Sequence, residues 1–242
     1  NGTCDGAGTS VANSGTEASG AFYSADKGPL AAGSYSFNAT VGNNSNYNGK
    51  TSDCEPLTVN QADTTIVTEI HNGSVHTGVT SVPLGSTVHD KATVSGSGYG
   101  TPTGTVTFTW YTASDQCTGA SVGAGTVALA AGVAHPSSAF GPLAAGSYSY
   151  KAVYSGDGNY KTSTSDCEPL TVTPKDLDIT TLIHDPAHSV VTSVALGATV
   201  HDTASVTGAV AGFEIPAVSF KWFGNGTCDG AGTSVANSGT EA

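Results

Sequence analysis

Among the residues that could do chemistry in this sequence, the histidines stand out. His71, His89 and His135 lie in the middle of the chain, His184 and His201 repeat the first two, and His76 and His188 fall in the connecting segments between them. If the strands carrying His71 and His89 are neighbours, the two imidazoles and Asp90 would converge closely enough to hold a metal ion, for which imidazole is a suitable ligand. A residue repeated through a structural array is more economically read as packing. Each ring would then fill a half-buried position and hydrogen-bond neighbouring backbone, so no metal and no cofactor is expected.

Other chemistry has less support. Ser, His and Asp are abundant, but no Gly-x-Ser-x-Gly elbow lies on a strand-to-helix turn, so no catalytic residue is assigned and an enzyme is the least supported class. The stretch Gly119 to Gly125 has the glycine content of a phosphate loop without its Lys-Ser/Thr ending or a following helix, and is read as loop. Asp157 with Asp176 or Asp178 would begin a Ca²⁺ site at a domain junction. Calcium wants about six to eight oxygens, and turn formation by Gly-Asp-Gly-Asn explains the same letters. Lys91 or Lys151 would be the donor in a Lys-Asn isopeptide bond, which an array already tied by disulfides does not need. Candidate glycosylation asparagines are Asn38, Asn43 and Asn72, with further sequons at Asn1 and Asn225.

These residues recur because the chain repeats. Ser52 to Val59 reappears letter for letter at Ser165 to Val172, and Gly28 to Ser36 at Gly141 to Ser149, both at an offset of 113. Ile70-His71 returns as Ile183-His184, and Val88-His89-Asp90 as Val200-His201-Asp202. Above this unit of about 112 residues lies a second period: residues 1–18 and 225–242 are identical at an offset of 224. Two units thus make one super-repeat. The boundaries read as the C-terminal half of one unit over 1–59, a complete unit over 60–173, and the N-terminal half of the next, plus overlap, over 174–242. With no methionine in it, the sequence is expected to be a window on a longer tandem protein.

Five cysteines follow the same period. Cys4 and Cys54 are 50 apart, as are Cys117 and Cys167, and Cys228 would begin a third pair. One disulfide per unit is the expectation. Closing each loop of about 50 residues would contribute about 4 kcal/mol through the unfolded state, and would imply an oxidising location such as the cell exterior. Zinc-type Cys-x-x-Cys clusters are absent from the sequence.

Composition narrows the classes further. With seven lysines, no arginine and a net charge of -12, the chain has almost nothing with which to displace counterions, so no nucleic-acid partner is expected. No apolar run approaches the roughly 20 residues that span a bilayer. Only 11% of residues are charged and 32 are glycine, which excludes coiled coils and the charged disordered class.

The elements that carry these residues are strands. In Thr105 to Trp110 the apolar residues alternate, placing Val106, Phe108 and Trp110 on one face. Similar runs cover Thr64 to Ile70, Ser86 to Val94, Thr126 to Ala130, Ser147 to Tyr154 and Pro169 to Val172, with Asn60 to Asp63 and Thr173 to Asp176 as linkers. The fold class expected is all-β, with tandem immunoglobulin-like β-sandwiches.

Three motifs carry a resemblance: Pro102 to Phe108 (PTGTVTF), Leu143 to Tyr148 (LAAGSY) and Ala152 to Tyr160 (AVYSGDGNY). Through them the chain resembles, over essentially its whole length, the bacterial immunoglobulin-like repeats found in tandem on surface and secreted proteins. In Val41 to Tyr47 only the Asn-Tyr end of the last motif is kept. The resemblance implies a structural or adhesive role outside the cell, as an extracellular filament or stalk whose partner is itself, through adjacent repeats or neighbouring strands. Two alternatives stand beside it. One is an adhesin module that contacts cell-surface or matrix glycans through loop aromatics such as Tyr47, Tyr99 and Tyr160; the other is a strand-exchanged polymer of discrete subunits.

Overall fold

A computed structural model describes residues 3–16, 21–73 and 75–237. Among them every regular element is a strand and none is a helix. Residues 3–59 form β1 (Asn13–Thr16), β2 (Phe22–Ser24), β3 (Gly33–Phe37), β4 (Thr40–Val41), β5 (Lys50–Thr51) and β6 (Glu55–Val59). The next stretch gives β7 (Thr64–Asn72), β8 (Ser81–Pro83), β9 (Val88–Gly96), β10 (Thr105–Tyr111), β11 (Ser121–Ala128), β12 (Val133–Ala134), β13 (Gly146–Tyr154), β14 (Ser163–Thr164) and β15 (Glu168–Thr173). The last part holds β16 (Asp178–His184), β17 (His201–Thr207), β18 (Phe220–Trp222) and β19 (Thr233–Val235).

The described residues gather into two compact units. One lies within Asn1–Val82, Thr87–Gly141 and Ser147–Thr171, the other within Pro83–Ser86, Pro142–Gly146 and Val172–Ala242. The first holds the two larger sheets, one ordered β12-β9-β7 and the other β11-β10-β13-β15-β8 with β14 alongside β13, together with the two-stranded pairs β1-β2, β3-β6 and β4-β5. Alternation on β10 buries Val106, Phe108 and Trp110, while Thr105, Thr107 and Thr109 stay partly or fully exposed. Ile66 and Ile70 on β7, with Val88, Ala92 and Val94 on β9, supply apolar residues from the other sheet. Trp110 is stacked between Phe140 and Tyr148, with ring centroids 5.3 and 5.1 Å away. In the second unit β16 pairs antiparallel with β17, and β18 with β19.

Several sequence expectations change here. The glycine-rich stretch read as loop is most of β11. Its glycines accommodate a bulge, where the pairing shifts between Thr107↔Thr126 and Thr109↔Gly123 and Gly125 takes a φ of 91°. Tyr160, expected as an exposed ligand-contacting ring, is buried: its hydroxyl donates to Gly100 O at 2.7 Å and its ring lies over Gly96, where a Cβ would collide with it. Tyr47 and Tyr99 are exposed.

Asp157 organises the turn before Tyr160. Its Oδ2 accepts from the Thr103 backbone and hydroxyl at 2.8 and 2.9 Å, and its Oδ1 from the backbone of Asn159 and Tyr160 at 2.8 and 2.9 Å. Partial burial opposes ionisation, yet these four donors outweigh it and hold the carboxyl at about 2. The letters proposed for Ca²⁺ thus serve a turn. The segment expected to be a linker is docked on it: Ala62 N donates to Asn159 O at 2.9 Å, Gln61 Nε2 to Asp157 O at 2.7 Å, and Lys161 Nζ pairs with Asp63 at 2.8 Å.

Candidate metal centre

β7 and β9 pair in a register that sets His71 opposite His89 and Glu69 opposite Lys91. Because side chains alternate, these four share the sheet face turned away from the core, while Ile70 and Asp90 share the core face. That alternation removes Asp90 from the set expected at a metal. Its Oδ1 instead accepts from Lys91 N at 2.8 Å and Glu69 N at 3.2 Å, and burial, with the nearby Glu168 carboxylate, pushes its pKa up to about 8.

Two further imidazoles complete the cluster. β12 pairs with β9 through Ala134↔Ala92, so His135, the next residue, arrives beside Lys91 and His89. On the other side the chain after β7 folds back along it, with a bridge between His71 and Gly78, and this brings His76 over the same face. His89 Nε2 lies 3.0 Å from His135 Nε2, and His71 Nδ1 lies 3.3 Å from the same atom. The four rings each present one nitrogen, and the four nitrogens lie within 4.8 Å of one another. His71 and His89 are buried, His135 is half-buried and His76 is exposed.

The rings therefore face each other rather than neighbouring backbone, which differs from the packing expectation. Burial, followed by the mutual repulsion of the rings, lowers the pKa of His89; burial, then His71, His76 and Lys91, does the same to His135. Both effects favour neutral imidazole, the metal-binding form. Beside the cluster, Glu69 Oε2 lies 3.4 Å from His71 Nε2 and is itself held by Lys91 Nζ at 2.8 Å. The ammonium of Lys91, one of the two candidate isopeptide donors, is thus paired with a carboxylate.

Sequence reasoning singled out His135 without placing it beside His71 and His89, and left His76 in a connecting segment. No local pattern ties a residue on the far side of β12 to β9. A signal was present nonetheless: the protein has seven histidines, four in this cluster, and the other three, His184, His188 and His201, occupy the repeat positions of His71, His76 and His89. In the second unit the same cross-strand pair recurs as His184↔His201, and the His188 ring sits 5.0 Å from that of His201.

The cysteines form a separate framework. Cys4 and Cys54 are bonded with their Cα atoms 5.8 Å apart, and Cys117 and Cys167 with theirs 5.7 Å apart. Cys117 leaves the loop after β10 and Cys167 precedes β15, so the bridge passes over β13 within one sheet. Cys228 is free and exposed, yet its φ of 55° matches the 50° and 53° of Cys4 and Cys117. Of the sequon asparagines, Asn38 and Asn43 are exposed, Asn72 ends β7 half-buried, Asn225 Nδ2 donates to Asp229 O at 2.9 Å, and Asn1 lies outside the described residues.

No curated protein matches the chain. Residues 75–173 match the family model of the bacterial Ig-like domain (group 3), spanning β8 to β15 and the Cys117–Cys167 disulfide. Over residues 75–173, then, the central unit of this chain is similar to the bacterial Ig-like domains.

Proposed function

We propose that the chain is a structural segment of an extracellular filament or stalk, built of tandem disulfide-bridged Ig-like units whose main partners are other units of the same kind. The observation that carries this is a contrast between matched positions. Trp110 is 2% exposed and its counterpart Trp222 is 55% exposed; Leu170 is 0% and Leu57 43%; Ile70 is 0% and Ile183 47%. The flanking segments carry the letters of a core without the half-sandwich that would cover it. A neighbouring repeat supplies that half in a continuous array, and a second copy supplies it in a strand-exchanged polymer.

Mechanically, each unit buries its own core, and length comes from repeat number. Docking of the 60–63 segment on the Asp157 turn restrains the joint before the central unit, and the Ala32 backbone N–H adds a hydrogen bond to Asn159 Oδ1 at 3.0 Å. The disulfides favour an oxidising location outside the cytosol. Reducing, denaturing electrophoresis of the native protein, with peptide sequencing across Gly224-Asn225, tests the reading. A species far above 23.9 kDa supports the continuous stalk; a band at that mass selects discrete subunits and overturns it.

A further inference from the structure

We propose that His71, His76, His89 and His135 bind one divalent transition-metal ion of zinc's class, which staples the loop after β7 to the β12-β9-β7 sheet. The spacing suits such an ion. Zn–N bonds of about 2.0–2.1 Å at tetrahedral angles place ligand nitrogens about 3.3 Å apart. The nitrogens here stand at 3.0 Å for His89 to His135 and 3.3 Å for His71 to His135, before any ion draws His76 inward. Hard cations such as Ca²⁺ and Mg²⁺ are excluded by the donor set, which is all imidazole.

The surroundings fit the same assignment. His71 Nε2 is buried and makes no hydrogen bond of good geometry, but it faces the Glu69 carboxylate at 3.4 Å. That carboxylate keeps the proton on Nε2 and turns the Nδ1 lone pair into the cluster, the role outer-shell carboxylates play toward metal-bound histidines. Glu69 is a positioning residue here, fixed in turn by Lys91. Without an ion, one of the two facing nitrogens of His89 and His135 must carry the proton between them. When an ion enters, that proton moves to the other nitrogen of its ring, and both lone pairs face the metal.

The repeat supplies an internal control. At the offset of 113 that aligns Gly28 with Gly141, the residue matching His135 is Phe22. The alternate unit therefore keeps three of the four histidines and replaces the last by an aromatic ring that cannot ligate. By the identity of residues 1–18 with 225–242, the unit begun by His184, His188 and His201 belongs to this alternate type. The assignment is accordingly one four-histidine site per two-unit block.

The test is isothermal calorimetry of the full, tag-free, chelator-treated chain with Zn²⁺, together with Co²⁺ absorption. One tight Zn²⁺ per chain is expected, with the intense visible bands of four-coordinate Co²⁺. Glu69→Gln should weaken binding by about tenfold, within the range for outer-shell partners, and His135→Phe by more than the about hundredfold upper end of that range. Far-UV circular dichroism checks that His135→Phe, the substitution the alternate unit already carries, remains folded. Absence of stoichiometric binding, unchanged affinity in His135→Phe, a six-coordinate Co²⁺ spectrum, or binding abolished by His184→Ala alone would each overturn the assignment.

Discussion

Leu57 and Leu170 occupy the same place in the identical stretch Ser-Asp-Cys-Glu-Pro-Leu-Thr-Val, one buried and one exposed, so mutating each to alanine separates packing from local sequence. Leu170→Ala removes three methyl or methylene-class carbons from a closed core and should cost about 3 kcal/mol, from the transfer term and the cavity left behind. At about 4–8 °C per kcal/mol for a domain near 100 residues, the melting midpoint falls by about 15 °C. Leu57→Ala removes the same atoms from a half-covered face and should cost less than about 1 kcal/mol. Thermal unfolding followed by far-UV circular dichroism sees the whole chain. Tryptophan fluorescence reports chiefly the central unit, because Trp110 is buried and Trp222 already exposed. Equal losses for the two variants would refute the reasoning, since the residues differ only in what faces them. In a chain extended by a further half-unit before Asn1, the Leu57 cost should rise to match.

Two other outcomes follow from particular contacts. Replacing Cys117 and Cys167 together by serine should lower stability by about 4 kcal/mol, the chain-entropy value for a loop of about 50 residues, read as a shift in urea midpoint between the variant and the oxidised parent. Asp157→Asn should lose the acid sensitivity of the turn. Because the folded carboxyl is held at about 2, below its unfolded value of about 3.9, its contribution is present above that unfolded value and disappears as pH falls through about 2. The difference in melting midpoint between parent and variant should therefore shrink between pH 5 and pH 2; a constant difference would show that Asp157 acts through shape alone.

Period-two alternation made β10 legible from its letters, because a half-buried strand writes its two faces directly into the sequence. The ends of β7, β9, β13 and β15 came within about two residues for the same reason. What local pattern does not encode is what stayed hidden. β8, β12 and β14 are two or three residues long and exist only because a neighbouring strand pairs with them. β11 was read short because glycine signals a loop, whereas here the bulge opposite Thr107 and Thr109 requires it. The Tyr160 ring was assigned to solvent from its place in a turn motif, and it is the absence of a side chain on Gly96 that lets it lie inside. At the histidine cluster the cross-strand pair follows from strand pairing, but the convergence of His76 and His135 depends on the chain returning to both edges of one sheet.

The turn and the cluster diverge between neighbouring units in different ways. In the first unit Asn44 stands where the central unit has Asp157, and its Oδ1 still accepts from the backbone of Asn46 and Tyr47 at 2.8 Å each. An amide oxygen does for that turn what a carboxylate oxygen does in the other, so the exchange preserves geometry while removing a charge. The exchange of His135 for Phe22 is of another kind: it keeps an aromatic ring and deletes a ligand. The disulfide letters and the Glu-Pro-Leu-Thr-Val strand are meanwhile identical in both units. With an ion in the four-histidine site, two units of nearly the same backbone would carry different stabilities, and the alternate unit would open first under load. Zn²⁺ should then raise the unfolding force or temperature of every second domain in an extended array and leave the others where they were.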